Sequence, residues 1–264
     1  MLACVFVIEL IGASARSQVT APARSLVVGA RTVTLLGVSG PATDRLLSRV
    51  AANIGVAVDA VEAFWGVDWS PDISVLAAAT DEQFRAAAGV GPASQWVDIA
   101  AVTVVDRVDP ARRVAVGQRI VFAPGAANIS DPALRIVLAH ELFHYAARTD
   151  TATDAPRWLT EGVADFVARP YAPHILESAD ARSAAQMLPS DTDLDTPGRQ
   201  RASAYDRAWW FARFVADTFG TAKLRAFYLA ACGVGHADPL VAAREVLGTD
   251  SAALLANWQH WLTR

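Results

Sequence analysis

The sequence predicts an α+β fold, in which a mixed, mostly antiparallel sheet with accompanying helices precedes a mainly helical half. Three observations support this. Before residue 129, short β-branched and apolar segments alternate with stretches of helical periodicity. From residue 130 onward, strand signals nearly vanish. Prolines and glycines fall between the segments, at positions typical of turns. Strands followed by helices are typical of the α+β class.

Composition limits the classes of function. The 264 residues are 53% hydrophobic and 19% charged, which is typical of a globular protein with a sizeable core. The net charge is only -4, and no basic stripe of the kind that nucleic acid requires is present, so we expect no nucleic-acid partner. Of the two cysteines, Cys4 and Cys232, we interpret the second as a small buried residue.

The N-terminus carries an apolar run from Leu2 to Ala13, followed by Ala13-Ser14-Ala15, which is typical of a signal-peptidase site. We interpret residues 1–18 as a leader or signal segment and residues 19–264 as a single domain. Glu9 and the lack of a preceding Lys or Arg favour the alternative, a first strand or helix of the fold. The leader predicts a secreted or cell-envelope protein, with membrane or envelope association through the N-terminus. Without it, the protein would be cytoplasmic.

Periodicity places the elements. In the sheet-containing half, residues 19–129, strands are predicted at 26–28, 33–36, 73–76, 99–105, 113–116 and 119–122, and helices at 41–64 and 81–88. In the helical half, residues 130–264, helices are predicted at 131–148, from about 156 to before 170, at 201–219 and 222–231, and from 239 to the end. Residues 171–200 are rich in proline and aspartate and are interpreted mostly as loop.

The central motif is His140-Glu141-Leu142-Phe143-His144, a His-Glu-x-x-His sequence inside a predicted helix. Residues four apart lie on one helical face, so both imidazoles can reach one metal ion. Zinc with three protein ligands keeps a further position for water and lowers the pKa of that water to about 7. Glu141 can then take the proton as general base and pass it to the leaving amine.

Two residues are candidates for the third zinc ligand. Asp150 lies six residues after His144, but the zinc proteases with that spacing need a glycine where this chain has Ala147. Glu161 lies in a second predicted helix that can fold back along the first, and we favour it. Asp165 is one turn further along the same face and could accept an imidazole N–H, fixing the tautomer of a histidine ligand.

A donor for the oxyanion that forms during hydrolysis is also needed. We select Tyr205, because it opens a helix after the long loop; the alternative is a tyrosine that only packs in the core. His236, between Gly235 and Ala237, is a weaker candidate, and a loop histidine without a role is favoured there.

The two motifs together resemble a known group. His140-Glu141-Leu142-Phe143-His144 followed by Trp158-Leu159-Thr160-Glu161-Gly162-Val163-Ala164-Asp165 resembles the gluzincin zinc metallopeptidases, and more closely the peptidase MA-like domain family, whose second motif commonly reads Trp-Leu-x-Glu-Gly-x-Ala. The likeness extends over about residues 70–231. It implies a zincin-like fold, Zn²⁺ held by His140, His144 and Glu161, and Glu141 as base. It also implies an antiparallel sheet with its edge strand beside the substrate, for which residues 119–122 are suited.

We therefore expect a zinc metallopeptidase that acts on a peptide or protein substrate. Two alternatives remain open. The zinc site could stabilise a catalytically weak binding or scaffold domain at the cell surface, or the enzyme could hydrolyse a bond other than a peptide, because the motif specifies activated water and not its target.

Overall fold

The computed structural model describes residues 10–11, 23–37, 40–89, 99–169, 187–195 and 199–263. They form a mixed sheet with helices followed by a mostly helical region, which confirms the predicted α+β class. The chain divides into two compact units, Met1–Thr149 and Asp150–Arg264. The division falls after the helix that carries the His-Glu-x-x-His motif, and not at residue 130, because that helix packs against the elements that precede it.

The first unit is built on a sheet. Its strands are β1 (Leu10–Ile11), β2 (Arg24–Val28), β3 (Arg31–Gly37), β4 (Asp72–Ala77), β5 (Ala101–Val105), β6 (Arg107–Asp109), β7 (Val114–Val116) and β8 (Arg119–Phe122). Its helices are α1 (Pro41–Trp65), α2 (Asp81–Ala88) and α3 (Asp131–Ala147). Within the described residues the sheet order is β1-β5-β8-β4-β3-β2, and β6 and β7 form a separate hairpin.

The pairing in the sheet is mixed, as predicted, but it is not mostly antiparallel. β3 pairs with β4 in parallel and β4 with β8 in parallel, whereas β2–β3 and β5–β8 are antiparallel. Parallel neighbours need a crossover connection, and the 25-residue helix α1 supplies it between β3 and β4. A long amphipathic helix between two strands was therefore the sign of parallel pairing.

β8 is an interior strand, which corrects its assignment as the edge strand beside the substrate. It lies between β5 and β4. Ile120, Val121 and Phe122 are all completely buried, so both faces of the strand are covered. A continuous apolar run of this kind is typical of a strand with neighbours on both sides and layers above and below it.

Helix α1 supports α3. Its apolar face is buried at the helical spacing that the sequence showed, from Leu46 to Val61. The guanidinium of Arg49 donates to the carboxylate of Asp131 and to the backbone carbonyls of Ala127 and Ile129. These bonds join the middle of α1 to the beginning of α3.

The second unit is helical over its described residues. Its helices are α4 (Arg157–Ala168), α5 (Asp191–Asp195), α6 (Arg199–Phe219), α7 (Thr221–Cys232), α8 (Pro239–Ala242) and α9 (Ser251–Leu262). Helix α4 packs against α6. Aromatic rings fill the core of the unit: Phe211 lies 5.2 Å from Trp158 and 5.7 Å from Trp258 between ring centroids.

Two predictions for this unit differ from the structure. The single helix expected from residue 239 to the end is broken, because Gly248 takes a left-handed conformation (φ 73°) and the side chain of Asp250 caps a new helix by accepting from the amide of Ala253. The predicted loop at 171–200 contains the short helix α5. Residues 187–190 are described without a helix or strand, and residues 199–200 belong to α6; residues 171–186 and 196–198 lie outside the described residues.

Of the N-terminal segment interpreted as a leader, the structure describes only Leu10–Ile11, which pair in parallel with Val104 and Val105 of β5. The rest of residues 1–18 lies outside the described part, so the leader stays a prediction. Among the described residues, no helix has both the length and the apolar character that crossing a membrane requires.

Candidate metal centre

The two histidines of the motif come together on α3. His140 is completely buried and His144 is 1% exposed, and their Nε2 atoms lie 3.1 Å apart. With zinc–nitrogen bonds of about 2.0–2.1 Å and tetrahedral angles, two nitrogen ligands of one zinc ion lie about 3.3 Å apart. The observed separation therefore fits two ligands of one ion.

The helix that carries them is well fixed. Ser130 caps α3 by accepting from the amide of Ala133 through its side chain, and Pro132 lies in the first turn. Every residue from Val137 to Ala147 is buried. The ring of Phe143 packs against Trp65 of α1 with centroids 5.6 Å apart. The histidines are thus presented by a core helix and not by a mobile surface segment.

Glu141 is completely buried beside the histidines. The hydroxyl of Thr103, on β5, lies 2.8 Å from Oε2 of Glu141 and 2.9 Å from its backbone carbonyl oxygen. The carboxylate proposed as the base is therefore held by a side chain from the sheet. Thr103 is not among the site residues predicted from the sequence, although it is the one polar residue in the strand Ala-Val-Thr-Val-Val.

Glu161 lies on α4 and is 3% exposed. It forms a group with His140 and His144 in which the candidate ligand atoms all lie within 4.8 Å of one another. Asp150, the alternative third ligand, is not a member of this group. The structure therefore brings together the three residues that the sequence selected as ligands.

The chemistry of these donors fits zinc. Imidazole nitrogen and carboxylate oxygen are common zinc ligands, whereas calcium and magnesium prefer sets made of oxygen alone. Three protein ligands are also typical of a catalytic site, because they leave a coordination position for water. Structural zinc sites usually have four protein ligands.

Asp165 lies one turn after Glu161 and is 3% exposed. Its Oδ2 is 2.6 Å from the guanidinium of Arg169, which also donates to Asp206 over 2.8 Å. Burial works to lower the pKa of Arg169, but the charges of Asp165 and Asp206 outweigh it and raise the pKa above its ordinary value. Asp165 is thus the buried member of a partly exposed ionic network, and its contact with a histidine ligand remains a prediction.

Tyr205 is 3% exposed on α6, in the second turn of the helix and not at its start. It lies within electrostatic range of Arg157, which is four positions before Glu161 and is not among the residues predicted from the sequence. Burial works to lower the pKa of Arg157, but a hydrogen bond to Asp195 and the charges of Tyr205 and Glu161 raise it. The i, i+4 spacing from Glu161 was the signal that could have identified Arg157.

The weaker candidate His236 lies 3.6 Å from the carboxylate of Asp154 and is not part of the metal-ligand group.

Comparison with protein-family models finds no match for this chain, and a search of curated proteins finds none either. A function is therefore inferred from the geometry and the chemistry of the site.

Proposed function

We propose that this protein is a zinc-dependent metallohydrolase that acts as a peptidase. One observation carries the proposal: two buried imidazole nitrogens 3.1 Å apart belong to a three-residue ligand group, with a buried glutamate beside them on the same helix. His140, His144 and Glu161 would hold the ion. When bound, zinc supplies Lewis-acid chemistry, which lowers the pKa of a water molecule towards about 7 and polarises a carbonyl.

Glu141 acts as the general base. Its carboxylate takes a proton from water as the water oxygen forms a bond to the carbonyl carbon of the substrate. When the carbon–nitrogen bond breaks, the same carboxyl group returns the proton to the leaving amine. Tyr205 is proposed to donate a hydrogen bond to the carbonyl oxygen as negative charge develops on it. Asp165 is proposed to orient a histidine ligand.

The first experiment measures zinc in the purified protein and in three variants. His140→Ala and Glu161→Ala should lose the metal, and Asp150→Ala, the matched control, should keep it. Normal zinc in Glu161→Ala with loss in Asp150→Ala would reverse the choice of third ligand. An N–H···N hydrogen bond between the two Nε2 atoms would also give a separation of 3.1 Å. Failure to bind zinc after reconstitution would favour that arrangement.

The second experiment separates catalysis from binding. Glu141→Gln should keep zinc and abolish hydrolysis of a quenched-fluorescent peptide library. If the wild-type protein binds zinc but cleaves no peptide in the library, the peptidase proposal fails. The protein would then be assigned to metal-stabilised binding or to hydrolysis of another bond.

A further inference from the structure

Thr103 lies on the sheet and contacts Glu141, the proposed base, on the helix α3 that packs against the sheet. It lies on β5, is 4% exposed, and is separated from Glu141 by 38 residues in the sequence. Its Oγ1 is within hydrogen-bond distance of both Oε2 and the backbone carbonyl oxygen of Glu141. We infer that Thr103 is a positioning residue, which sets the orientation of the Glu141 carboxylate for proton transfer. The inference rests on the proposed function.

A buried glutamate needs such a partner in order to act as a base. Its side chain has three rotatable bonds, and a catalytic group must be held within about 0.5 Å of the productive geometry. A hydrogen bond to an ionised acceptor is roughly twice as strong as one between neutral groups. Thr103 provides this bond from β5, a strand with neighbours on both sides, and therefore from a rigid element.

A purely structural explanation of the hydroxyl is less satisfactory. The other residues of β5 are Ala101, Val102, Val104 and Val105, so valine at position 103 would suit the strand equally well. The carbonyl of Glu141 lies in the interior of α3, where the helix itself supplies an amide donor. The carboxylate is therefore the acceptor that makes the hydroxyl necessary.

Three variants of the full chain test the inference. Thr103→Val removes the hydroxyl and keeps the shape, Thr103→Ser keeps the hydroxyl, and Thr34→Val on β3 is the matched control elsewhere in the sheet. With the peptide library, kcat of Thr103→Val should fall about 10–100-fold, the range found when a residue supporting a metal site is lost. KM and zinc content should stay unchanged. Thr103→Ser should restore most of the rate, and Thr34→Val should match the wild type.

A second measurement needs neither zinc nor activity. In metal-free protein, chemical denaturation is followed for Thr103→Val, Glu141→Met and the double variant. If the residues interact, the second substitution costs less stability once the first has been made. Thr34→Val combined with Glu141→Met should be additive.

The outcomes separate the two proposals. A zinc-loaded Thr103→Val protein with the kcat of the wild type would overturn the positioning role while the peptidase proposal stands. If the wild type binds zinc and cleaves nothing, the proposed function fails, and the denaturation measurements then decide whether Thr103 holds the carboxylate. Additive losses of stability in Thr103→Val and Glu141→Met would show that it does not.

Discussion

Gly162 of α4 lies directly against the backbone carbonyl of Ala208 on α6, so that even a methyl group at position 162 would overlap that carbonyl. Glu161, the candidate third ligand, is its immediate neighbour in the chain. The Glu-Gly pair of the second motif thus places a candidate metal ligand next to a close contact between two helices. Glycine is required here by space and not by backbone conformation.

We expect Gly162→Ala to destabilise the protein by about 1–3 kcal/mol, because the added methyl group forces α4 away from α6. The shift should also displace Glu161 and lower the affinity for zinc. Urea denaturation and metal titration measure the two effects. Gly125→Ala is the control, since a methyl group there meets nothing within 4 Å. Equal stability of the two variants would contradict the prediction.

Removal of the proposed zinc ion should lower the melting temperature. A ligand that binds only the native state stabilises it, by about 4 kcal/mol when its free concentration is a thousand times Kd. Differential scanning calorimetry with and without a chelator should therefore show a decrease in Tm for the wild-type protein. His140→Ala should show no response to the chelator. A similar decrease in both proteins would mean that the chelator acts elsewhere.

Tyr205→Phe tests the proposed oxyanion donor. Loss of one such donor lowers kcat by about 10²–10³-fold, and zinc content should be unchanged. Tyr228→Phe is a suitable control, because Tyr228 is completely buried and its hydroxyl lies 2.8 Å from that of Thr151. That variant should lose stability and keep kcat. Wild-type kcat in Tyr205→Phe would assign the residue to packing.

The carboxylate of Asp193 on α5 should make the stability of the protein depend on pH. Partial burial works to raise its pKa, but hydrogen bonds from Ser190 and Arg207 outweigh it and hold the pKa below the ordinary value of 3.8. A lowered folded-state pKa contributes stability that is present above pH 3.8 and is lost as the pH falls through the folded-state pKa.

Asp193→Asn should therefore be less stable than the wild type at neutral pH, and the difference should shrink as the pH falls below 3.8. Urea denaturation from pH 7 to pH 3 measures this. Asp238→Asn is the control for a carboxylate that only caps a helix, α8. A difference that stays constant across the range would show that the ion pair with Arg207 does not set the stability contribution.

Local patterns in the sequence predicted most of the fold. Two helices carry their signals within a few consecutive residues, α1 in the spacing of its apolar residues and α3 in its start at Ser130-Asp131-Pro132. The bounds of both helices were therefore predicted closely. The order of strands is not local. β8 was misassigned as an edge strand, because the position of a strand in a sheet depends on which strands flank it. The four residues of β8, three of them apolar, do not indicate which strands are their neighbours.

The difference between local signals and long-range contacts also applies to the candidate metal site. The histidine pair follows from helical spacing within one element, and the selection of Glu161 followed from a short connection between two helices. Thr103 is 38 residues from Glu141 and belongs to a strand, so no spacing rule relates them. A single hydroxyl in an apolar strand shows that a polar partner exists but does not identify it.

The bonds from Arg49 to the beginning of α3 affect how this helix opens. Helices usually fray from their ends, which allows amide hydrogens to exchange with solvent at little cost in free energy. The guanidinium holds Asp131 and the carbonyls of Ala127 and Ile129, and from Val137 onward the helix is buried and packs on α1 and β5. Amide hydrogens from His140 to His144 should therefore exchange only when the whole first unit unfolds, which places the histidine pair in the slowest-exchanging part of that unit.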